Sequence, residues 1–234
     1  VRSRRQRQMC IRDRVRKFLL KKPINSAAFA AYLQDLNLEE IPILKEIRED
    51  NQNLNRGFMM ADYFTIQFLC WLAASLGVKH YLELGVYTGY SSTAMALSLS
   101  KEARLHLCDL NVSTTNRARY YWHKAGIKEK IHLYLAPAYL TLNTWRQEKI
   151  NAYFDFAFID ADKTLIQDYA DLIYPFLKPG AIMAFDNAYA QGKVGTAGLG
   201  AQEQDFFNRK ILRDQRFSSL LLPVGDGLIL LKKR

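Results

Sequence analysis

The chain has 234 residues, 49% of them hydrophobic and 12% aromatic, which fits one α/β domain able to bury roughly 70% of the surface that its unfolded form exposes. No uninterrupted apolar run reaches the length of about 18 residues that spans a bilayer, and Cys10, Cys70 and Cys108 lack the C-x-x-C or Cys/His spacing of a disulfide framework or zinc site, which points to a reducing cytoplasm. The net charge of +10 looks like a nucleic-acid signature until it is located: nine of these charges fall within residues 1–22, and the body is near neutral.

Residues 1–22 form a basic tail with no apolar core and no targeting pattern, and the stretch 4–14 reads as a translated library adapter, outside the fold. A single domain is expected over residues 23–234, with N-terminal helices over 23–58 and a catalytic core over 59–234. In the first part Phe29, Leu33 and Leu36 share one helical stripe and Ile41, Leu44 and Ile47 another, with Asn25-Ser26 and Asn37 as caps. Met59-Met60-Ala61-Asp62 opens a helix to about residue 76, with Phe64, Phe68, Leu69 and Leu72 on its apolar side.

The stretch Tyr81-Leu82-Glu83-Leu84-Gly85-Val86-Tyr87-Thr88-Gly89-Tyr90-Ser91 reads as a buried strand, a glycine turn and a helix start. Its spacing is E-x-G-x-x-x-G, where a dinucleotide site wants G-x-G-x-x-G on a pyrophosphate. A carboxylate placed first repels phosphate and suits a ligand carrying an ammonium group. S-adenosylmethionine has an amino-acid end, a sulfonium and no phosphate. A second strand, 104–109, ends in Asp109 about 20 residues after the turn, where α/β nucleotide sites hold ribose hydroxyls. A third strand covers 131–135. Strands 154–159 and 181–185 stop at Asp160 and at Asp186-Asn187. Three oxygen ligands on two strand ends make a hard-cation site, with Mg²⁺ fitting and Ca²⁺ or Mn²⁺ open. A glycine-rich loop over 195–200, a helix over 204–212 and a hairpin of 217–222 with 227–231 complete the chain.

The motif at 81–97, Phe158-Ile159-Asp160-Ala161-Asp162-Lys163, Phe185-Asp186-Asn187 and Pro223-Val224-Gly225-Asp226-Gly227-Leu228 resemble, in order and spacing, the cation-dependent O-methyltransferases of the caffeoyl-CoA and catechol type. The resemblance implies a class I methyltransferase fold: a seven-stranded, mainly parallel sheet with helices on both faces and an antiparallel last strand. It implies an S-adenosylmethionine site of Ala61, Glu83, Gly85, Val86, Ser91, Asp109, Ala138, Asp160 and Asp162. It further implies a divalent cation on Asp160, Asp186 and Asn187, with Lys163 as general base beside Asp160, a small phenolic acceptor with vicinal hydroxyls, and a homodimer. Departures from the family pattern sit at Phe64 and Ile66, which reshape one wall of the site, at Ala136 in a glycine position, and at Leu165, Ile166, Ala190 and Gln191, which leave the aromatic lid over an acceptor ring missing. Alternative readings are a tRNA hydroxyuridine O-methyltransferase, a degenerate cofactor-binding module, and, on the glycine turn alone, an NAD-dependent dehydrogenase.

Overall fold

A computed structural model describes residues 32, 36, 40–151, 153–161, 166–196 and 198–234. The chain divides into two compact units, Val1–Glu40 and Ile41–Arg234. In the first unit only Tyr32, Leu36 and Glu40 are described, so the basic tail, Cys10 and the caps expected at Asn25-Ser26 and Asn37 lie outside the described residues. So do Asp162, Lys163 and Leu165.

The second unit is built on seven strands: β1 His80–Leu84, β2 Arg104–Asp109, β3 Ile131–Leu135, β4 Phe154–Ile159, β5 Leu177–Phe185, β6 Phe217–Leu222 and β7 Leu228–Lys233. They form one sheet in the order β3-β2-β1-β4-β5-β7-β6. The first five pair in parallel, and β7 runs antiparallel between β5 and β6. The apolar runs in β1 and β4 need cover on both faces, and helices supply it. Helices α1 Pro42–Gln52, α2 Tyr63–Ser75, α3 Tyr90–Ser98 and α4 Val112–Lys124 pack Ile47, Leu69, Met95 and Trp122 with Tyr81 and Phe156 on one face. Helices α5 Ala138–Gln147, α6 Ile166–Ile173 and α7 Leu199–Ile211 pack Trp145, Ile173 and Phe207 with Leu82 and Leu84 on the other.

Register aligns the strand ends that matter. Leu84 lies beside both Cys108 and Ile159, and Ile159 beside Phe185. The ladder continues one step past each strand: Gly85 N–H donates to the Cys108 carbonyl at 2.9 Å, Asp160 N–H to Leu84 at 2.9 Å and Asp186 N–H to Ile159 at 3.1 Å. The chain leaves β1 for β2 and β3 on one side and returns to β4 on the other, which makes the β1/β4 boundary the switch point where α/β sheets open a crevice.

Three expected boundaries move. Helix α2 begins at Tyr63, because the Asp62 side chain accepts Thr65 N–H and caps it there. Its buried residues are Thr65, Ile66, Leu69, Cys70 and Ala73; of the expected side Leu69 is fully buried and Phe68 and Leu72 pack partly buried against the same core, and the face is turned toward Ile66 and Cys70 because a helix apolar nearly all round has no pattern to choose its face. The 19-residue segment Gly57–Ser75, with mean hydropathy 1.2, is apolar and long enough by composition to cross a bilayer; Asp62, Thr65 and Gln67 interrupt it, so no continuous run shows. Helix α7 starts at Leu199, five residues into the loop expected from its glycines. Strand β5 starts at Leu177, ahead of Pro179-Gly180.

Phe158 in the central strand β4 is fully buried, so Phe158→Ala leaves a cavity with sheet on both sides. The expected loss is about 3–5 kcal/mol of unfolding free energy, read from the urea midpoint at unchanged m-value.

Candidate active site

The turn between β1 and α3 is shaped by two glycines and one carboxylate. Gly85 has φ +90°, and a Cβ there would lie 2.2 Å from the Asp160 carbonyl oxygen. Only a glycine lets the β1 exit touch the β4 exit. Gly89, φ +86°, is the N-cap of α3, and a Cβ on it would lie 2.7 Å from the Ala118 Cβ of α4. Between them Tyr87 also has positive φ, at 52°. The Asp109 carboxylate holds this turn: Oδ2 accepts Val86 N–H at 2.8 Å and Tyr87 N–H at 2.9 Å, and Oδ1 accepts Asn111 N–H at 2.8 Å. Asn111 in turn caps α4 by accepting from Ser113 and Thr114 N–H.

Glu83 lies one layer deeper. Its carboxylate is fully buried and accepts Tyr81 Oη–H at 2.9 Å and Ser91 Oγ–H at 2.6 Å. Burial pushes the Glu83 carboxyl up to about 7, against the pull of the Ser91 and Tyr81 hydrogen bonds.

Above this layer is a cavity of about 1340 Å³, lined from the ends of β1 to β5, from the segment leading into α2 and from the β6–β7 turn. Of the residues expected in the site, Ala61, Gly85, Val86, Ser91, Asp109, Ala138, Asp160 and Asn187 line it. Glu83 is not on the wall, and Ser91 is its link to it. Asp186 is likewise set back: it is 4% exposed, and its Oδ1 accepts the Asn187 amide at 2.7 Å. Asn187 adopts the left-handed region at φ 59°, where an Asn is tolerated better than most residues. Asp162 and Lys163 lie outside the described residues.

Asp160, Asp186 and Asn187 stand on neighbouring strand ends and offer oxygen donors only, which is the chemistry of a hard-cation site. Among the described residues no three of His, Cys, Asp or Glu cluster around a metal position, so such a site counts Asn187 as its third ligand. The cavity also holds residues without an expected role there, Tyr87, Asn111, Arg117, Tyr169 and Asp226, and Gln191 from the position of the missing lid. Asn111 had a local signal, as an Asn two residues past a strand-end acid. Arg117 reaches the wall from α4 and pairs with Asp50 at 2.7 Å, and no local pattern marks it.

A family profile described as O-methyltransferase matches residues 34–234. The chain belongs to this family. The O-methyltransferase is 34% identical over 205 residues to the "Probable caffeoyl-CoA O-methyltransferase 2" of Dictyostelium discoideum, covering 86% of each chain. It is 30% identical over 225 residues to the caffeoyl-CoA O-methyltransferase of Mesembryanthemum crystallinum, covering 91% of this chain and 89% of that one. Among solved structures, the O-methyltransferase from Bacillus cereus in complex with SAH superposes with a TM-score of 0.79 at 25% identity, covering 88% of this chain and 97% of that one. The sheet order and antiparallel β7 agree with the expected class I fold, and the O-methyltransferase profile starts earlier, at residue 34, than the motifs at 59–234 imply.

The raised Glu83 value belongs to the folded protein, so the folded state keeps a proton that the unfolded chain releases above about pH 4.5. Relative to Glu83→Gln, the wild type is therefore most stable below pH 4.5 and loses about 3 kcal/mol as pH rises to about 7. Urea unfolding of both proteins at pH 5 and pH 8 checks this; an equal difference at the two pH values contradicts it.

Proposed function

We propose that the protein is an S-adenosylmethionine-dependent, divalent-cation-dependent O-methyltransferase acting on a small molecule with vicinal hydroxyls, of the catechol or caffeoyl type. The observation that carries this reading is one cavity bordered by both the Asp109-pinned turn and the oxygen-bearing ends of β4 and β5. The B. cereus enzyme in complex with SAH supports the donor, and the caffeoyl-CoA names of the relatives support the acceptor class.

In this reading Asp109 accepts the ribose hydroxyls of the donor, while Gly85, Val86 and Ser91 form the floor for its amino-acid end. Glu83 acts on that end through Ser91. Ala61 and Ala138 complete the donor's walls, with Asp162 assisting. Asp160, Asp186 and Asn187 would hold the cation, which when bound supplies a template for two adjacent oxygens and stabilises the negative charge that develops on one of them. Lys163 takes the proton from the acceptor hydroxyl. The oxygen then forms its bond to the methyl carbon as the carbon–sulfur bond breaks, and the electron pair stays on sulfur. Alignment of oxygen, carbon and sulfur is the main contribution asked of the fold, worth up to roughly 7–11 kcal/mol in favourable cases.

Transfer of labelled methyl from S-adenosylmethionine to a catechol panel and to bulk tRNA, each with Mg²⁺ and with EDTA, tests the reading. The expected result is Mg²⁺-dependent label on a catechol; activity retained in EDTA contradicts the cation, and label on tRNA alone contradicts the acceptor. Lys163→Met is expected to lower kcat by about 10²- to 10⁴-fold, the range of a lost general base, with little change in donor affinity by calorimetry.

A further inference from the structure

The loop after β5 is held in an uncommon backbone path from two directions. Asn187, Ala190 and Gln191 all take left-handed φ values, 59°, 48° and 58°, a region that non-glycine residues enter only when their surroundings over-determine it. From α7, the buried Asn208 side chain donates from Nδ2 to the Ala188 carbonyl at 2.7 Å, and Gln204 fixes that amide by donating to Asn208 Oδ1 at 3.0 Å. From the β6–β7 turn, the Gly227 carbonyl accepts Ala188 N–H at 2.9 Å and the Asp226 carbonyl accepts Tyr189 N–H at 2.8 Å. The Asp226 side chain closes the far end, with Oδ2 accepting Gln191 N–H at 2.7 Å. Gly227 lets this turn come close: a Cβ on it would lie 2.7 Å from the Tyr189 ring.

Asp226 and Gln191 are 35 residues apart, and both line the same cavity as Asn187. The loop is a run of turns with backbone bonds of its own, Ala190 N–H to the Asn187 carbonyl at 3.0 Å and Val194 N–H to the Tyr189 carbonyl at 3.2 Å, and these partners anchor it to α7 and to the β6–β7 turn. Asn208 and Asp226 are the two side chains that bond the loop directly from these elements, one a donor to Ala188, ahead of the two consecutive left-handed residues, and one an acceptor from Gln191, the second of them.

We propose that Asp226 and Asn208 are positioning residues for methyl transfer, which clamp the loop from the β6–β7 turn and from α7 and so fix Asn187 at the cavity wall. Neither needs to touch the acceptor; both act through the loop. The catalytic consequence rests on the reading of Asp160, Asp186 and Asn187 as cation ligands, whereas the restraint on the loop does not.

The test compares the full-length wild type with Asp226→Ala and Asp226→Asn, the second keeping an acceptor oxygen for Gln191. Hydrogen exchange at the Gln191 and Tyr189 amides is measured in the metal-free protein, Mn²⁺ affinity by electron paramagnetic resonance, and SAH affinity by calorimetry. Asp226→Ala is expected to speed exchange at Gln191 and to weaken Mn²⁺ binding by about three- to tenfold each, the span that one lost hydrogen bond produces. SAH affinity is expected to stay within about twofold, because the donor half is built on Asp109 and the β1–α3 turn. Asp226→Asn restores both effects. The proposal is overturned if Asp226→Ala leaves exchange and Mn²⁺ affinity unchanged, or if Asp226→Asn is as impaired as Asp226→Ala. A wild type that binds no Mn²⁺ contradicts the cation reading instead, and exchange in the metal-free protein then decides the restraint alone.

Discussion

The Asp109 carboxylate is the joint on which the ligand edge depends. It sits at the end of β2 but accepts the amides of Val86 and Tyr87 from the β1 exit. Leaving two such amides without a partner away from water costs roughly 1–3 kcal/mol each, so the carboxylate decides the path of a turn that has no ladder of its own. That path carries Gly85 against the Asp160 carbonyl, and Asp160 continues the ladder to Leu84 just as Asp186 continues it to Ile159. Position therefore passes from β2 through the glycine turn to the strand ends of β4 and β5. A displacement at Asp109 would be felt at all of them.

Two constraints of different kind meet at this edge. The parallel sheet supplies register, which places Gly85, Asp160 and Asp186 side by side with an accuracy set by hydrogen bonds. The loops supply reach, and each is tied by side chains from elsewhere: the β1–α3 turn by Asp109, and the loop after β5 by Asn208 and Asp226. Binding edges of α/β proteins are commonly built this way, with rigid strands presenting loops whose shape is set by a few polar contacts. Glu83 adds a third element. Its buried carboxyl, raised to about 7, costs stability at neutral pH, and it sits directly beneath the wall that Ser91 forms.

Much of this was legible because strand ends announce themselves. Strands β1, β2 and β4 are stopped by Gly85, Asp109 and Asp160, and both Asp109 and Asp160 emerge on the cavity wall as strand-end carboxylates should. Strand β5 was shortened in the sequence reading because Pro179-Gly180 looks like a turn. In the fold those residues lie where the β4–β5 register shifts, a place where a sheet tolerates a proline. The face of α2 was legible only in part, at Leu69, for lack of amphipathicity, and the start of α7 was hidden by Gly198 and Gly200. Asp226 was invisible in its role, since its partner Gln191 is distant in sequence and no periodicity connects them. The depth of Glu83 was equally hidden: a carboxylate at the head of a motif looks available to a ligand until Tyr81 and Ser91 are seen to take its oxygens.

The most direct test of this account is calorimetric titration of SAH into the wild type and into Asp109→Ala. The account predicts binding by the wild type and a loss of affinity of at least about tenfold in the variant, the size expected when hydrogen bonds to a charged group disappear. Equal affinity in the two proteins would contradict it, because the donor site would then be built without the joint on which the edge depends.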